Sequence, residues 1–334
     1  MSSNRTFRLN SGHPMPAVGL GTWQSGPNEV ANAVATALKL GYRHIDAAAV
    51  YDNENEVGEG IRASGVDRKN IFITSKLWNT HHKPEDVEEA LDHTLKDLGT
   101  DYLDLYLIHW PVSFAKAADI KQHFPINPAT EAVHVIDVPI ADTWRALEAL
   151  VHKGKIRSIG VSNFTRAAIE ELLQTASIPP AVNQIEAHPY LQQPELLAWL
   201  KSKNIVAAAY SPLGNNIYSL PRAVDDPVVI EVAKGLGKEP AQVLVQWAVQ
   251  RGTVVLPKSV TPARIESNFQ DFELPKEAFD KITALDRNHR YNFPIRLGVN
   301  IFGEHDEATL KKGVSDWVAA QRKLKEQAAA AAAA

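Results

Sequence analysis

Ile71-Phe72-Ile73-Thr74-Ser75-Lys76, then Pro84 to Leu98 closed by Gly99, then Leu103-Asp104-Leu105-Tyr106-Leu107-Ile108, decide how this chain folds. The outer two are short apolar runs rich in β-branched and aromatic residues, as buried strands are. The middle one is an amphipathic helix pattern. Pro84 stands near its start, where a missing amide hydrogen costs nothing. Gly99 stands near its end, where a left-handed residue is wanted. Continuously apolar strands separated by a helix point to parallel neighbours with both faces covered.

The same unit repeats outward in both directions. Candidate strands begin near Val18, Arg43, Ile71, Leu103, Ile156, Ala181, Ile205 and Thr253, eight in all. Further helix patterns run Asn28 to Leu40, Ala141 to His152, Thr165 to Ala176, Gln193 to Lys203 and Pro240 to Gln250. Eight such units fit an α/β fold closed as a (β/α)8 TIM barrel better than an open sheet, and 334 residues suit one such domain. Thr6 to Pro16 reads as a β-hairpin around Ser11-Gly12 that caps the bottom of the barrel. Two segments are too long for plain connectors, Val112 to Pro139 and Arg287 to about Glu304. Both carry aromatics (Phe114, Phe124, Tyr291, Phe293 and Phe302), which suits functional loops at the C-terminal face. Residues 1–304 are therefore expected to form a single catalytic barrel, and residues 305–334 a helical extension. Asp306 to Gln327 is charged and helix-like, and seven alanines, Ala328 to Ala334, follow; no function is placed there.

Composition removes whole classes of function. Hydrophobic residues make up 45% and charged residues 22%, and the net charge of −4 leaves neither half strongly basic or acidic. That gives no footprint for nucleic acid or an anionic membrane surface. With no cysteine, disulfides, thiolate nucleophiles, cysteine-bound zinc and iron–sulfur clusters are excluded. No apolar run approaches the length of a membrane span. Met1 to Asn10 is polar and has no apolar signal core. A cytoplasmic monomer acting on a small molecule is expected.

In such a barrel, chemistry sits at the C-terminal ends of the strands and in the loops beyond them. Strand two ends at Asp46, and its loop carries Tyr51. Strand three ends at Ser75-Lys76, and strand four at His109-Trp110. A lone lysine at a strand end is usually solvated and a lone tyrosine usually packs; what distinguishes these four is that they converge on neighbouring strands. Together they suit carbonyl reduction, which needs a hydride donor and a proton donor. A tyrosine of ordinary pKa, about 10, is a poor acid at neutral pH. A nearby ammonium lowers that value, which Lys76 can do with Asp46 holding it as an ion pair. His109 can hydrogen-bond and orient the substrate oxygen, so that Tyr51 and His109 polarise the carbonyl together.

At these residues the chain resembles the aldo-keto reductases. Gly41-Tyr42-Arg43-His44-Ile45-Asp46-Ala47-Ala48-Ala49-Val50-Tyr51 is similar to that family's first signature. Gly19-Leu20-Gly21-Thr22-Trp23, Thr74-Ser75-Lys76-Leu77-Trp78, Leu107-Ile108-His109-Trp110-Pro111, Gly160-Val161-Ser162-Asn163-Phe164, Asn183 to Pro189, Tyr210 to Gly214 and Leu256-Pro257-Lys258-Ser259 follow the family's order and spacing. The resemblance covers about Thr6 to Phe302. It implies that Asp46, Tyr51, Lys76 and His109 are the catalytic tetrad, with Tyr51 the general acid.

Pro257-Lys258-Ser259-Val260-Thr261-Pro262-Ala263-Arg264 follows the last strand, where these barrels often hold a phosphate. Lys258 and Arg264 are placed to grip the 2′-phosphate that separates NADPH from NADH. The resemblance further implies that Ser162, Asn163 and Gln184 meet the nicotinamide carboxamide, that Tyr210 stacks on its ring, and that Ser211, Leu213 and Asn268 reach the pyrophosphate and adenosine. Gly21, Thr22, Trp23, Asp46, Asn215, Leu256, Ser259 and Thr261 complete the implied NADPH/NADP+ site. Trp23, Trp78 and Trp110 would form an aromatic mouth for the carbonyl substrate, with Tyr51 and His109 at its base. Two rival readings are a redox-sensing cofactor binder with little turnover, which the intact tetrad disfavours, and a metal-dependent hydrolase. Adjacent His81 and His82 cannot readily share one metal, and the sequence offers no other ligand set.

Overall fold

The computed structural model describes residues 5–215 and 220–333, so residues 1–4 of the polar start lie outside it. The chain opens with a hairpin, β1 (Thr6–Arg8) antiparallel to β2 (Pro14–Pro16). Barrel strands β3 (Leu20–Gly21), β4 (His44–Asp46), β5 (Phe72–Leu77) and β6 (Leu105–Ile108) come next, with α1 (Val30–Leu40), α2 (Glu54–Ser64) and α3 (Pro84–Leu98) between them. A short antiparallel pair, β7 (Ser113–Phe114) and β8 (Val135–Ile136), interrupts the alternation. It resumes with α4 (Ile140–His152), β9 (Ile159–Ser162), α5 (Arg166–Leu172), β10 (Val182–Glu186), α6 (Pro194–Ser202) and β11 (Val206–Tyr210). Helices α7 (Pro227–Gly235) and α8 (Pro240–Gln250), strand β12 (Val254–Val255), helices α9 (Pro262–Asn268) and α10 (Lys276–Thr283), and finally α11 (Glu307–Ala333) complete the chain.

The eight barrel strands pair in parallel in the order β3-β4-β5-β6-β9-β10-β11-β12. The ring closes between first and last: Gly19 N donates to Val255 O (2.9 Å), Gly21 N to Pro257 O (3.0 Å), and Val255 N to Ala17 O (2.8 Å). Side chains alternate along a strand with period two. One set points inward, where Phe72, Leu105, Leu107, Val182, Ala208, Val254 and Leu256 form an inner core. The other set, including Ile45, Ile73, Tyr106, Ile108 and Val161, packs against the helices. Leu9 and Met15 of the hairpin join the inner core and plug the bottom. Following the inward parity upward leads from Phe72 through Thr74 to Lys76, from Leu107 to His109, and from Val182 to Gln184. The fold thus delivers these polar groups to the upper rim from alternate positions on neighbouring strands.

Helix α3 shows how the local sequence sets these elements. Val87, Ala90, Leu91, Thr94, Leu95 and Leu98 form its buried stripe, Glu85 and Asp86 sit in its first turn, and Gly99 ends it at φ 67°. Three differences from the sequence expectations stand out. Helix α2 carries no obvious helical signal because Gly58 and Gly60 lie inside it. A Cβ at Gly58 would fall 2.6 Å from Leu98 O, and one at Gly60 2.4 Å from Ala31 O, so both glycines let neighbouring helices approach. The segment from 112 to 139, read from the sequence only as a long functional loop, is a flap laddered at β7–β8 and bridged at Ile126 and Val133. Helix α5 is also shorter than the pattern suggested, ending at Leu172.

Candidate active site

The upper rim encloses a cavity of about 600 Å³. At its base Lys76 is fully buried, and its ammonium donates to Asp46 Oδ2 (2.8 Å), Ala47 O (2.8 Å) and the Tyr51 hydroxyl (3.4 Å). Asp46 is fixed from a second side, its Oδ1 accepting from Gln184 Nε2 (2.8 Å) across the barrel. Tyr51 arrives on a single 3-10 turn, Ala49–Tyr51, closed by Asp52 at φ 56°. The His109 ring stands edge-on to Tyr51, with centroids 5.9 Å apart, and Trp78 stands edge-on to His109 at 5.2 Å. Sequence reasoning named these four groups, and the fold brings them together within one base.

Burial and charge oppose each other here. Burial pushes the Tyr51 phenol up; the Lys76 ammonium pulls it down and Asp46 pushes it up again, leaving it above the ordinary tyrosine value. The ammonium acts in the direction expected from sequence, but burial, which a sequence does not display, outweighs it. Burial works to lower the Lys76 value, yet Asp46 and Tyr51 prevail and raise it, so the amine stays charged. Burial, with help from Lys76 and His82, holds His109 well below the usual histidine value, so its ring is neutral near pH 7.

Beside this base lies a second polar network. Ser162 Oγ donates to Gln184 O (2.9 Å), Asn163 Nδ2 to His109 O (2.9 Å), and Tyr210 OH to Asn163 Oδ1 (2.7 Å). Asn163 and Ser211 hold positive φ, 64° and 50°, just past the ends of β9 and β11. Non-glycine residues in that region store strain, and such strain clusters at functional sites. Gly21, Thr22, Trp23, Leu213, Asn215, Leu256 and Lys258 line the same cavity, as do Trp78 and Trp110. Trp23 is 37% exposed, at the mouth.

Ser259, Thr261, Arg264 and Asn268 lie off the cavity, beyond Lys258. Ser259 Oγ accepts from Thr261 N (3.1 Å), shaping the turn into α9. Lys258 is exposed and donates to Gln24 O (3.0 Å); Arg264 is exposed, and among the described residues neither has a carboxylate partner. Asn268 is buried with its Oδ1 unmatched. Two exposed cations, and a buried unmatched acceptor on the same helix as Arg264, together suit a phosphorylated adenosine: the cations for its phosphate, the acceptor for an N–H.

The walls hold residues that sequence reasoning passed over. Gln24, Val50, Pro212, Arg222, Pro294 and Arg296 line the cavity with Phe124, Asn292 and Phe293. The Arg296 guanidinium lies 5.0 Å from the centre of the Phe124 ring. Trp78 Nε1 donates to His123 O (2.8 Å), tying the flap to the rim. Glu186, which lies inside the Asn183 to Pro189 motif, moors the second long segment, the tail from Arg287 to Glu304. Its carboxylate accepts from Tyr291 N (2.8 Å), Asn292 N (2.9 Å), Asn292 Nδ2 (2.8 Å) and His188 Nε2 (2.8 Å).

This geometry can be set beside known proteins. The model of the aldo/keto reductase family matches residues 17–287. This chain belongs to the aldo-keto reductase family. It is 47% identical over 324 residues to a D/L-glyceraldehyde reductase of Hypocrea jecorina, covering 92% of this chain and 97% of that protein. It is also 47% identical over 299 residues to aldo-keto reductase family 1 member A1 of Xenopus tropicalis, covering 86% and 90%. Among solved structures, the aldose reductase from Schistosoma japonicum superposes with a TM-score of 0.83 at 41% identity, covering 90% of this chain and all of that one. As an aldo-keto reductase the chain is an oxidoreductase of the class that reduces carbonyl groups with a nicotinamide cofactor. Among the described residues, no helix is long and apolar enough to cross a membrane and no cluster of three metal-ligating side chains occurs.

Proposed function

We propose that this aldo-keto reductase uses NADPH to reduce aldehydes and ketones to alcohols, and runs the reverse oxidation with NADP+, with Tyr51 as general acid. The observation that carries this reading is the Tyr51 hydroxyl 3.4 Å from an ammonium that is clamped by Asp46, beside neutral His109, at the base of an aromatic-walled cavity. NADPH, when bound, supplies the hydride. The chain's own groups handle the proton. His109, being uncharged, can hydrogen-bond the carbonyl oxygen and hold it toward Tyr51. Tyr51 gives that oxygen its hydroxyl proton, and Lys76 stabilises the phenolate left behind. In the reverse direction the phenolate takes the proton from the alcohol.

Ser162, Asn163 and Gln184 would hold the carboxamide and Tyr210 the ring. Ser211, Leu213 and Asn268 would hold the pyrophosphate and adenosine, and Lys258 with Arg264 the 2′-phosphate. Gly21, Thr22, Trp23, Leu256, Ser259 and Thr261 complete that surface. The preference for NADPH rests on two exposed cations that no carboxylate among the described residues neutralises. Trp23, Trp78 and Trp110 would receive the substrate. A relative that is a D/L-glyceraldehyde reductase puts short hydroxyaldehydes first among the compounds to try.

The test is turnover. Purified protein with NADPH and glyceraldehyde, or an aromatic aldehyde, should consume many equivalents of cofactor. Consumption that stops at one equivalent with every carbonyl compound tried would instead make the chain a cofactor-binding sensor.

A further inference from the structure

Helix α11 lies beyond the stretch that the family model matches, and its own sequence carries no catalytic pattern. Its covered face is narrow. Gly313 is buried, and Thr309, Leu310, Val314, Trp317, Val318 and Gln321 are half-buried, a stripe at helical spacing. From Arg322 to Ala331 every residue is exposed.

That stripe meets the back of the cavity wall. A Cβ placed on Gly313 would stand 2.8 Å from Ile295 Cγ1, 2.9 Å from its Cβ and 3.0 Å from its carbonyl carbon, so helix and wall touch here only because the residue is glycine. Ile295–Leu297 is a single 3-10 turn, and its Arg296 lines the cavity. Trp317 packs into the cluster of Trp78, Val112, Phe114, Val133 and Leu297, which spans both long segments. Just past the stripe, exposed Arg322 pairs across the surface with Glu131 of the flap.

We infer that α11 is a positioning element for the substrate pocket. Through Gly313, Trp317 and Arg322 it fixes the Ile295–Leu297 turn and the 112–139 flap against each other, and so sets which carbonyl compounds the cavity accepts. This rests on the functional reading above for what the cavity binds, but not for what α11 braces. The two walls have little regular structure of their own, one two-residue ladder, one isolated bridge and one 3-10 turn. Their order comes from packing, and a wall released from packing regains conformational freedom that a bound substrate must then remove. Asp46, Lys76 and Gln184 stand on barrel strands held by ladders on either side, so the brace acts on the walls before it acts on the base.

Three variants of the full chain test this. Gly313→Leu pushes the helix off the turn while raising helix propensity, so any loss comes from the contact and not from the helix. Truncation after Asp306 removes α11; truncation after Lys323 removes only its exposed end. Amide hydrogen exchange should quicken across residues 112–139 and 291–301 in Gly313→Leu and in the Asp306 truncation, with the barrel strands and NADPH affinity unchanged. The KM for a bulky aromatic aldehyde should rise roughly ten- to a hundredfold more than that for a small aldehyde, since displacements near 1 Å have effects of that size. The Lys323 truncation should match the full chain in both measurements. Unchanged exchange in both walls of Gly313→Leu overturns the inference whatever the activity, and so does a uniform fall across all substrates with NADPH binding. Quickened exchange in a protein whose full chain turns over no aldehyde upholds the brace and counts against the functional reading instead.

Discussion

Asp46, Lys76 and His109 stand at the ends of strands that are hydrogen-bonded to parallel neighbours on both sides, whereas Phe124, Phe293 and Arg296 project from a flap and a tail with almost no ladder of their own. The base of the cavity is therefore positioned by backbone, and the walls by side-chain packing: Trp78 on Phe114 and Phe124, Trp110 on Phe302, Arg296 over Phe124. The two regions should fail differently. Damage to the base should cost rate for every substrate, while damage to the walls should redistribute rates among substrates.

The largest effect belongs to the base. Tyr51→Phe keeps the ring and its packing and removes only the hydroxyl, so hydride transfer at saturating NADPH should slow by about 10²–10⁴-fold or more. Stopped-flow measurement decides it; near-normal transfer would move the proton to His109. The pH profile carries a sign. Burial holds the phenol above its ordinary value, so the protonated donor persists through the neutral range, and reduction should decline only above the usual tyrosine range. Lys76→Met removes the group that pulls the phenol down, so that decline should move to still higher pH while the rate falls.

Behind the base lies a carboxyl that the chemistry does not use. Glu54 accepts from Ser75 Oγ (2.5 Å) and Thr94 Oγ1 (2.9 Å), and burial lifts it from 4.5 to about 7. The folded state therefore binds a proton more readily than the unfolded chain. The stability this gives is fully present below about pH 4.5 and is lost as pH rises toward about 7, on the order of 3 kcal/mol in all. Thermal melts of Glu54→Gln should lack that decline; matching curves for variant and wild type would remove Glu54 from the account.

A smaller effect is expected at the cofactor's outer end. Arg264→Ala should weaken NADPH binding by roughly ten- to a hundredfold, as loss of a charge-assisted contact does, and leave NADH nearly unchanged. Equal losses for both cofactors would end the 2′-phosphate assignment. The smallest effect should come from trimming one wall side chain while the brace stays in place: Phe124→Ala is expected to shift KM for aromatic aldehydes by about two- to tenfold. A uniform loss of rate for small and large aldehydes alike would erase the distinction between wall and base.

The same division governs what the sequence could reveal. The base was legible because each barrel strand is an apolar run that stops at a polar residue, and period-two parity carries Lys76 and His109 inward together. The eight strands begin within a few residues of their expected starts, and Pro84, Gly99 and Pro240 mark helix ends where expected. The walls were legible only as length and aromatics. Strands of two residues fall below any periodicity, Gly58 and Gly60 mask α2, and nothing in an isolated Arg296 distinguishes it from a solvated surface cation. Burial was equally hidden, which is why the neighbouring charge on Tyr51 could be anticipated and the net direction of its shift could not.

Glu186 holds the tail partly by its main chain. Two of the four groups it accepts from are the backbone amides of Tyr291 and Asn292, which any residue but proline would offer at those positions. A docking point that reads amides is indifferent to much of what the docked segment spells. The tail can thus be regarded as an exchangeable cassette: a different sequence spliced in after Asn292 would leave all three of the tail's contacts to that carboxylate in place.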